Sequence, residues 1–203
     1  MKFYYAPGTC AIGIHVLLEE IGEPYESQKL DLAAKQQFSE GYLALNPKGK
    51  VPTLQRDDGS VLTEFQAISA WLARTFPRGN LFPDDPDRQA RILEVMDYAV
   101  GTVHMQGFAR YIRPHSFAPN ESDYEKVRAQ GVEIFSKGLS LLDRHFGNGP
   151  YVIGALSIAD MALFYLEFWA VERLMQTLPV NLAAHYQRMT SRAAVQGVLK
   201  AHR

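Results

Sequence analysis

The chain has 203 residues, 47% of them hydrophobic, so it can bury a real core as one domain or two modest ones; neither disorder nor low complexity fits. Its 21 basic and 22 acidic residues leave a formal charge of −1, which argues against nucleic acid or an anionic membrane as the main partner and for a small ligand. A single cysteine forms no internal disulfide, no apolar run reaches the roughly 20 residues of a membrane span, and Met1-Lys2 leads straight into a strand, so a cytoplasmic protein is expected.

Phe3-Tyr4-Tyr5 favours a short buried strand and Pro7-Gly8 breaks it. Ile14, Val16, Leu17, Leu18 and Ile21 then recur at helical spacing, with Gly22 as the C-cap. Cys10 thus falls at a helix N-terminus, where unpaired backbone N–H groups and the positive dipole end favour an anion. A lone cysteine is more often a small buried hydrophobe. A strand-to-helix turn after Pro-Gly is, however, the partly exposed, electropositive place that a reactive thiol needs.

Tyr25 to Leu32 suits a second strand, which makes the opening a right-handed βαβ unit. Lys35 to Leu45 reads as an irregular helix, and Asn46-Pro47-Lys48-Gly49-Lys50 as a loop. Pro52 fits only at the start or edge of a strand running through Thr53-Leu54, or in a cis bond. Asp58-Gly59, flanked by Thr53-Leu54 and Val61-Leu62, predicts a β-hairpin. Thr63-Glu64-Phe65-Gln66 opens a helix whose apolar face carries Ile68, Trp71, Leu72 and Phe76, and Pro77 stops it. The order βαβ, helix, ββα is that of the thioredoxin-like fold.

Three prolines and a glycine in the ten residues from Pro77 to Pro86 mark a linker, 78–86, between a first domain at 1–77 and a second at 87–203. The second domain should be all α. Ile92, Met96, Ala99, Val100 and Val103 form one stripe, ended by Pro114. Tyr124, Val127, Gly131, Phe135, Leu139, Leu142 and Phe146 form another, with a Ser122–Glu125 capping box, Gly147 as C-cap and a turn over Gly147-Asn148-Gly149-Pro150. Ser157 and Asp160 form a second capping box, so Asp160 reads as structural. The helix they start, through Ala162, Tyr165, Leu166, Trp169 and Val171, is apolar nearly all round and should be buried. Shorter helices follow at 182–189 and 193–200. Six histidines and one cysteine show no metal-ligand spacing.

In order and spacing, Pro7-Gly8-Thr9-Cys10, Asp31-Leu32 with Lys35, Asn46 to Pro52, Asp57-Asp58-Gly59, Leu62-Thr63-Glu64 with Ala67-Ile68, and Ser157 to Asp160 resemble cytosolic glutathione transferases, most closely the bacterial beta class. The resemblance implies a thioredoxin-like glutathione-binding domain, an all-α domain contributing the electrophile site, glutathione as co-substrate with no metal, and a homodimer. It assigns Glu64 to the γ-glutamyl amine, the Phe65 amide to the γ-glutamyl carboxylate and Lys35 to the glycyl carboxylate. Val51, before a cis Pro52, would exchange backbone hydrogen bonds with the cysteinyl part, and Cys10 would lie beside the glutathione sulfur. His104, six residues after Tyr98, matches the family's histidine, whereas alignment on Gly107-Phe108 puts Met105 there. Asp97 stands where the family often has Asn, and would reach the glutathione of the partner subunit. Phe65 departs from the usual Ser or Gly and removes a hydroxyl from the site. The reaction implied is conjugation of glutathione thiolate to small hydrophobic electrophiles, with thiol–disulfide or peroxidase chemistry through Cys10. The alternatives are a non-transferase binding or scaffold protein of the same fold, and a glutathione-dependent isomerase or dehalogenase.

Overall fold

A computed structural model describes residues 1–145 and 149–202. Phe146, Gly147 and Asn148, and with them the expected C-cap and the first half of the expected turn, lie outside the described residues. Two compact units emerge: Met1–Asp84 joined by the segment from Arg188 onward, and Asp85–Gln187.

The first unit is built on a four-stranded sheet of order β2-β1-β3-β4, from β1 (Lys2–Tyr5), β2 (Glu26–Lys29), β3 (Thr53–Gln55) and β4 (Val61–Thr63). β2 runs parallel to β1, while β3 runs antiparallel to both β1 and β4, which is the thioredoxin-like arrangement. β2 is shorter than the 25–32 expected and wholly exposed, as suits an edge strand. Alternation divides β1: Phe3 and Tyr5 stack on one face, whereas Tyr4 joins Leu30 and Tyr42 on the other. Against the first face lie α1 (Ala11–Ile21) and α3 (Phe65–Thr75), whose Ile12, Leu17, Ile68 and Leu72 are fully buried.

The expected helix from Lys35 to Leu45 is split. A 3-10 turn at Gln36–Phe38 precedes α2 (Glu40–Leu45), because the Ser39 side chain accepts from the Tyr42 amide and caps a new start. In the expected linker, Leu81 and Phe82 are buried and the Arg74 guanidinium stacks over the Phe82 ring, so this connection is packed rather than loose.

The second unit starts with α4 (Pro86–Asp97), with Asp85 accepting from the Arg88 amide at its N-cap. The same rod continues as a π-helix over Tyr98–Phe108 and closes with α5 (Ala109–Ile112), ahead of Pro114. Nothing in the hydrophobic period announces the π stretch. Ser122 lies inside a 3-10 turn, Glu121–Asp123, that leads into α6 (Tyr124–His145), so it does not form the expected N-cap. α6 packs closely on the π stretch through glycines: a Cβ on Gly131 would stand 2.7 Å from the Gly107 carbonyl oxygen. α7 (Ile158–Glu172) is buried from Ile158 to Ala170, as its all-round apolar sequence predicts. Asp160 accepts from the Ser157 amide and hydroxyl at 2.7 and 2.8 Å. It also accepts from the Val152 amide, so its role is structural.

α8 (Val180–Thr190) and α9 (Ala193–His202) complete the chain. The segment from residue 188 onward, expected in the second domain, instead packs with the first unit, α9 lying against α1. The contact is sealed by His15 and His202, whose ring nitrogens are 3.1 Å apart, and by Arg192 paired with Glu20. No helix among the described residues is long and apolar enough to cross a membrane.

Candidate functional site

The sheet register brings the loop ends together. Tyr4, Thr53 and Thr63 form one row across β1, β3 and β4. One step beyond that row stand Tyr5, Pro52 and Glu64. β2 leaves the sheet at this same end, because Tyr5 pairs with Lys29 and its carbonyl accepts from the Leu30 amide. The Cys10 turn follows β1, Val51-Pro52 precedes β3, Glu64-Phe65 follows β4 and Lys35 follows β2. Six residues singled out from the sequence thus share one end of one sheet.

Each is presented by a specific local device. Thr9 donates to the Ala6 carbonyl at 2.8 Å and accepts from the Ala11 amide, which fixes the turn that starts α1 and leaves Cys10 half-buried at the helix start. The Val51–Pro52 peptide is cis. The loop before it is moulded by Asn46, only 1% exposed: its amide donates to the Lys50 carbonyl at 2.9 Å and to the Thr53 hydroxyl at 2.8 Å, while its oxygen accepts from the Lys48 amide. The Tyr42 hydroxyl donates to the same Lys50 carbonyl at 2.6 Å. Lys35 is exposed and opens the 3-10 turn from the left-handed region, φ 57°.

Glu64 stands at φ 74° and ψ 131°, a backbone conformation that a non-glycine residue rarely adopts. Its carboxylate is paired with Lys48 Nζ at 2.5 Å, and the same ammonium donates to the Thr63 hydroxyl at 2.8 Å. Both side chains are more than half exposed. Phe65, by contrast, is buried at the start of α3, so the residue that replaces a family Ser or Gly has its ring in the core rather than in solvent.

Residues 8–75 match the family model described as "Glutathione S-transferase, N-terminal domain". Across the whole chain, 34% of 206 aligned residues are identical to glutathione S-transferase GstA of Escherichia coli O157:H7, covering 99% of this chain and 98% of that protein. The chain belongs to the glutathione S-transferase family. Among solved structures, a glutathione transferase homolog from Sulfitobacter with bound glutathione matches with a TM-score of 0.88 at 30% identity, over 98% of this chain and 96% of that one. The bacterial beta class glutathione S-transferase of Sphingomonas chungbukensis matches at 0.83 and 28%, over 100% and 98%.

The other positions that the resemblance singles out lie in the second unit. His104 is half-buried in the π stretch, with its ring edge-on to Trp169 at 4.7 Å and to Tyr165 at 5.7 Å, whereas Met105 is 38% exposed. Asp97 is exposed at the last position of α4. Among the described residues there is no group of three or more His, Cys, Asp or Glu arranged to hold a metal ion.

Sequence reasoning passed over Lys48 and Asn46. Both sit in a turn-rich segment where polar residues read as solvated loop, and only the loop's folded path shows that one faces Glu64 and the other is interior. It also passed over Glu167 and His185, buried 2.8 Å apart, with Asp160 on the other ring nitrogen at 3.3 Å. Burial alone would lower the His185 pKa, but the two carboxylates outweigh it and raise it to about 9. Burial pushes Glu167 up, against the pull of His185. With two carboxylates around one imidazole, a protonated His185 is the direction the geometry favours.

Proposed function

We propose that this chain binds glutathione at the sheet end marked by Cys10, Pro52 and Glu64 and conjugates it, through its thiolate, to small hydrophobic electrophiles. The observation that carries the reading is the alignment of Tyr5, Pro52 and Glu64 across three adjacent strands. Glutathione is an anionic tripeptide with one free amine, so its site requires a carboxylate, cations or helix N–H groups, and a length of free backbone. Glu64 supports the first requirement, held outward by its unusual φ. Lys35 is the cation for the glycyl carboxylate, and the Phe65 amide at the start of α3 addresses the γ-glutamyl carboxylate. Val51, ahead of the cis Pro52, supplies backbone in the manner of an added strand.

Cys10, at the start of α1, would hold the sulfur as thiolate against the helix terminus and so stabilise the nucleophile. It also has a chemistry of its own. A Cys10 thiolate attacking the glutathione sulfur of a glutathione–substrate mixed disulfide releases the substrate thiolate and leaves Cys10 disulfide-bonded to glutathione; a free glutathione thiolate then cleaves that bond, releasing Cys10 as thiolate and leaving glutathione disulfide. The resemblance assigns His104 a share in positioning the sulfur and Asp97 a contact with the partner subunit's glutathione. We also read the chain as a homodimer. Its support is a mainly apolar cleft of about 210 Å³ between α6 and the junction of α4 with the π stretch, lined by Glu94, Val95, Tyr98, Leu141 and Leu142.

Retention on immobilised glutathione tests the reading, followed by a rise in thermal midpoint with millimolar glutathione, since a ligand binding only the native state stabilises by about 2.7 kcal/mol at a hundred times its Kd. Absence of both would favour a non-transferase protein of this fold. Cys10→Ala separates the two chemistries: disulfide reduction should be lost, while conjugation of a chloronitrobenzene substrate persists at a reduced rate.

A further inference from the structure

The candidate glutathione site carries a cation that none of the family assignments includes. Lys48 Nζ lies 2.5 Å from the Glu64 carboxylate and 2.8 Å from the Thr63 hydroxyl, at the sheet end already described. An ion pair this exposed contributes little to stability, because solvent screens it and two long side chains lose freedom to form it. Its geometry nevertheless has a use. Glu64 and Lys48 present a minus and a plus charge side by side, which is the inverse of the ammonium and carboxylate on the α-carbon of a zwitterionic amino-acid head.

Resting on the proposed glutathione site, we propose that Lys48 is the specificity residue that takes the α-carboxylate of the γ-glutamyl head while Glu64 takes its ammonium. The Lys48–Glu64 pair opens to admit the head, and the four charges then alternate in sign. Each charge of the ligand meets an opposite charge, and neither protein group is left unpaired, so the exchange forfeits only a weak, screened contact. Lys48 also answers the departure at position 65. The hydroxyl that Phe65 cannot supply is replaced by an ammonium from the preceding loop, with the Phe65 ring buried out of the way. The Thr63 hydroxyl steadies the lysine from behind, and Asn46, accepting from the Lys48 amide at 3.1 Å, fixes where it leaves the backbone.

The test compares glutathione with its analogue lacking the γ-glutamyl α-carboxylate, 4-aminobutyryl-cysteinyl-glycine, on wild type, Lys48→Gln and Lys48→Arg. Wild type should prefer glutathione by about tenfold or more in Kd, the scale of one charge-assisted hydrogen bond. Lys48→Gln should raise the KM for glutathione by a similar factor, leave kcat near wild type because the head is remote from the sulfur, and cut the preference for glutathione about tenfold, to the part that the Phe65 amide supplies. Lys48→Arg should restore most of the preference. The preference is a ratio within each variant, so a general loss of stability does not mimic the effect. A preference undiminished in Lys48→Gln, or absent in wild type that binds both thiols, overturns the role of Lys48 alone. Failure of wild type to bind either thiol overturns the site reading and this inference with it.

Discussion

Glu64 combines an exposed carboxylate with a backbone angle that ordinarily suits glycine. Holding a non-glycine residue there costs of order 1–3 kcal/mol, which the surrounding β4–α3 junction must overcome. Two substitutions separate the carboxylate from the strain. Glu64→Ala and Glu64→Gly should both abolish retention on immobilised glutathione. Glu64→Gly should unfold at higher denaturant than Glu64→Ala, by about 1 kcal/mol or more, because glycine adopts positive φ without a Cβ clash. Equal stability of the two would mean that the backbone is not strained. At this scale the sequence was informative about which side chains matter and silent about how they stand. Glu64 sits in a motif, whereas its pairing with Lys48, sixteen residues earlier, depends on a loop held by hydrogen bonds from Asn46 and Tyr42. Asn46→Ala removes both donors that Lys50 and Thr53 share with it. We expect a loss of about 1–3 kcal/mol and a weaker affinity for glutathione, measured by denaturant unfolding and calorimetric titration.

Among the elements, α7, the β3–β4 hairpin and α1 were legible because each carries a local signal: a capping box before an apolar run, Asp58-Gly59, and Pro7-Gly8 before helical spacing. The π stretch was not. An apolar stripe sampled every three or four residues does not distinguish i→i+4 from i→i+5 bonding over eleven residues, and the stretch packs closely against α6. That packing depends on missing side chains. A Cβ on Gly131 would press on the Gly107 oxygen at 2.7 Å and the Tyr111 nitrogen at 2.9 Å, both backbone atoms with no freedom to swing aside. Gly101, in the same π stretch, has nothing within 4 Å of the corresponding point. Gly131→Ala should therefore destabilise by about 2 kcal/mol or more through overpacking. Gly101→Ala should be neutral or stabilising by up to about 1 kcal/mol, since alanine is the better helix former. Both are read from chemical denaturation midpoints, and a tolerated Gly131→Ala would show that α6 does not rest on the π backbone.

For the whole molecule, two buried histidine systems, one in each unit, titrate in opposite senses. In the first unit, burial among Phe3, Tyr5 and Tyr25 lowers the His15 pKa, partly opposed by Glu19, and burial with the neighbouring His15 lowers His202 to about 3. A depressed histidine pKa means that the unfolded chain binds more protons, so this contribution is complete above about pH 6.5 and is lost as pH falls towards 3. In the second unit, His185 is raised to about 9, so its contribution is complete below about pH 6.5 and is lost as pH rises through 9. Neither system was legible beforehand. His15 and His202 are 187 positions apart, and only the return of α9 to α1 brings them together. The chain has two tryptophans, Trp71 in the first unit and Trp169 in the second, which makes the two titrations separable. In Trp71→Phe, the thermal midpoint reported by Trp169 should begin to fall as pH rises past about 6.5, keep falling to about pH 9 and level off above it. In His202→Asn, the acid decline of the far-ultraviolet midpoint between pH 6.5 and 4 should be shallower than in wild type, the remaining slope coming from carboxylates. An acid slope unchanged by His202→Asn would show that the histidine pair does not titrate on unfolding. A Trp169 midpoint constant to pH 9.5 would show that His185 carries no proton between its two carboxylates.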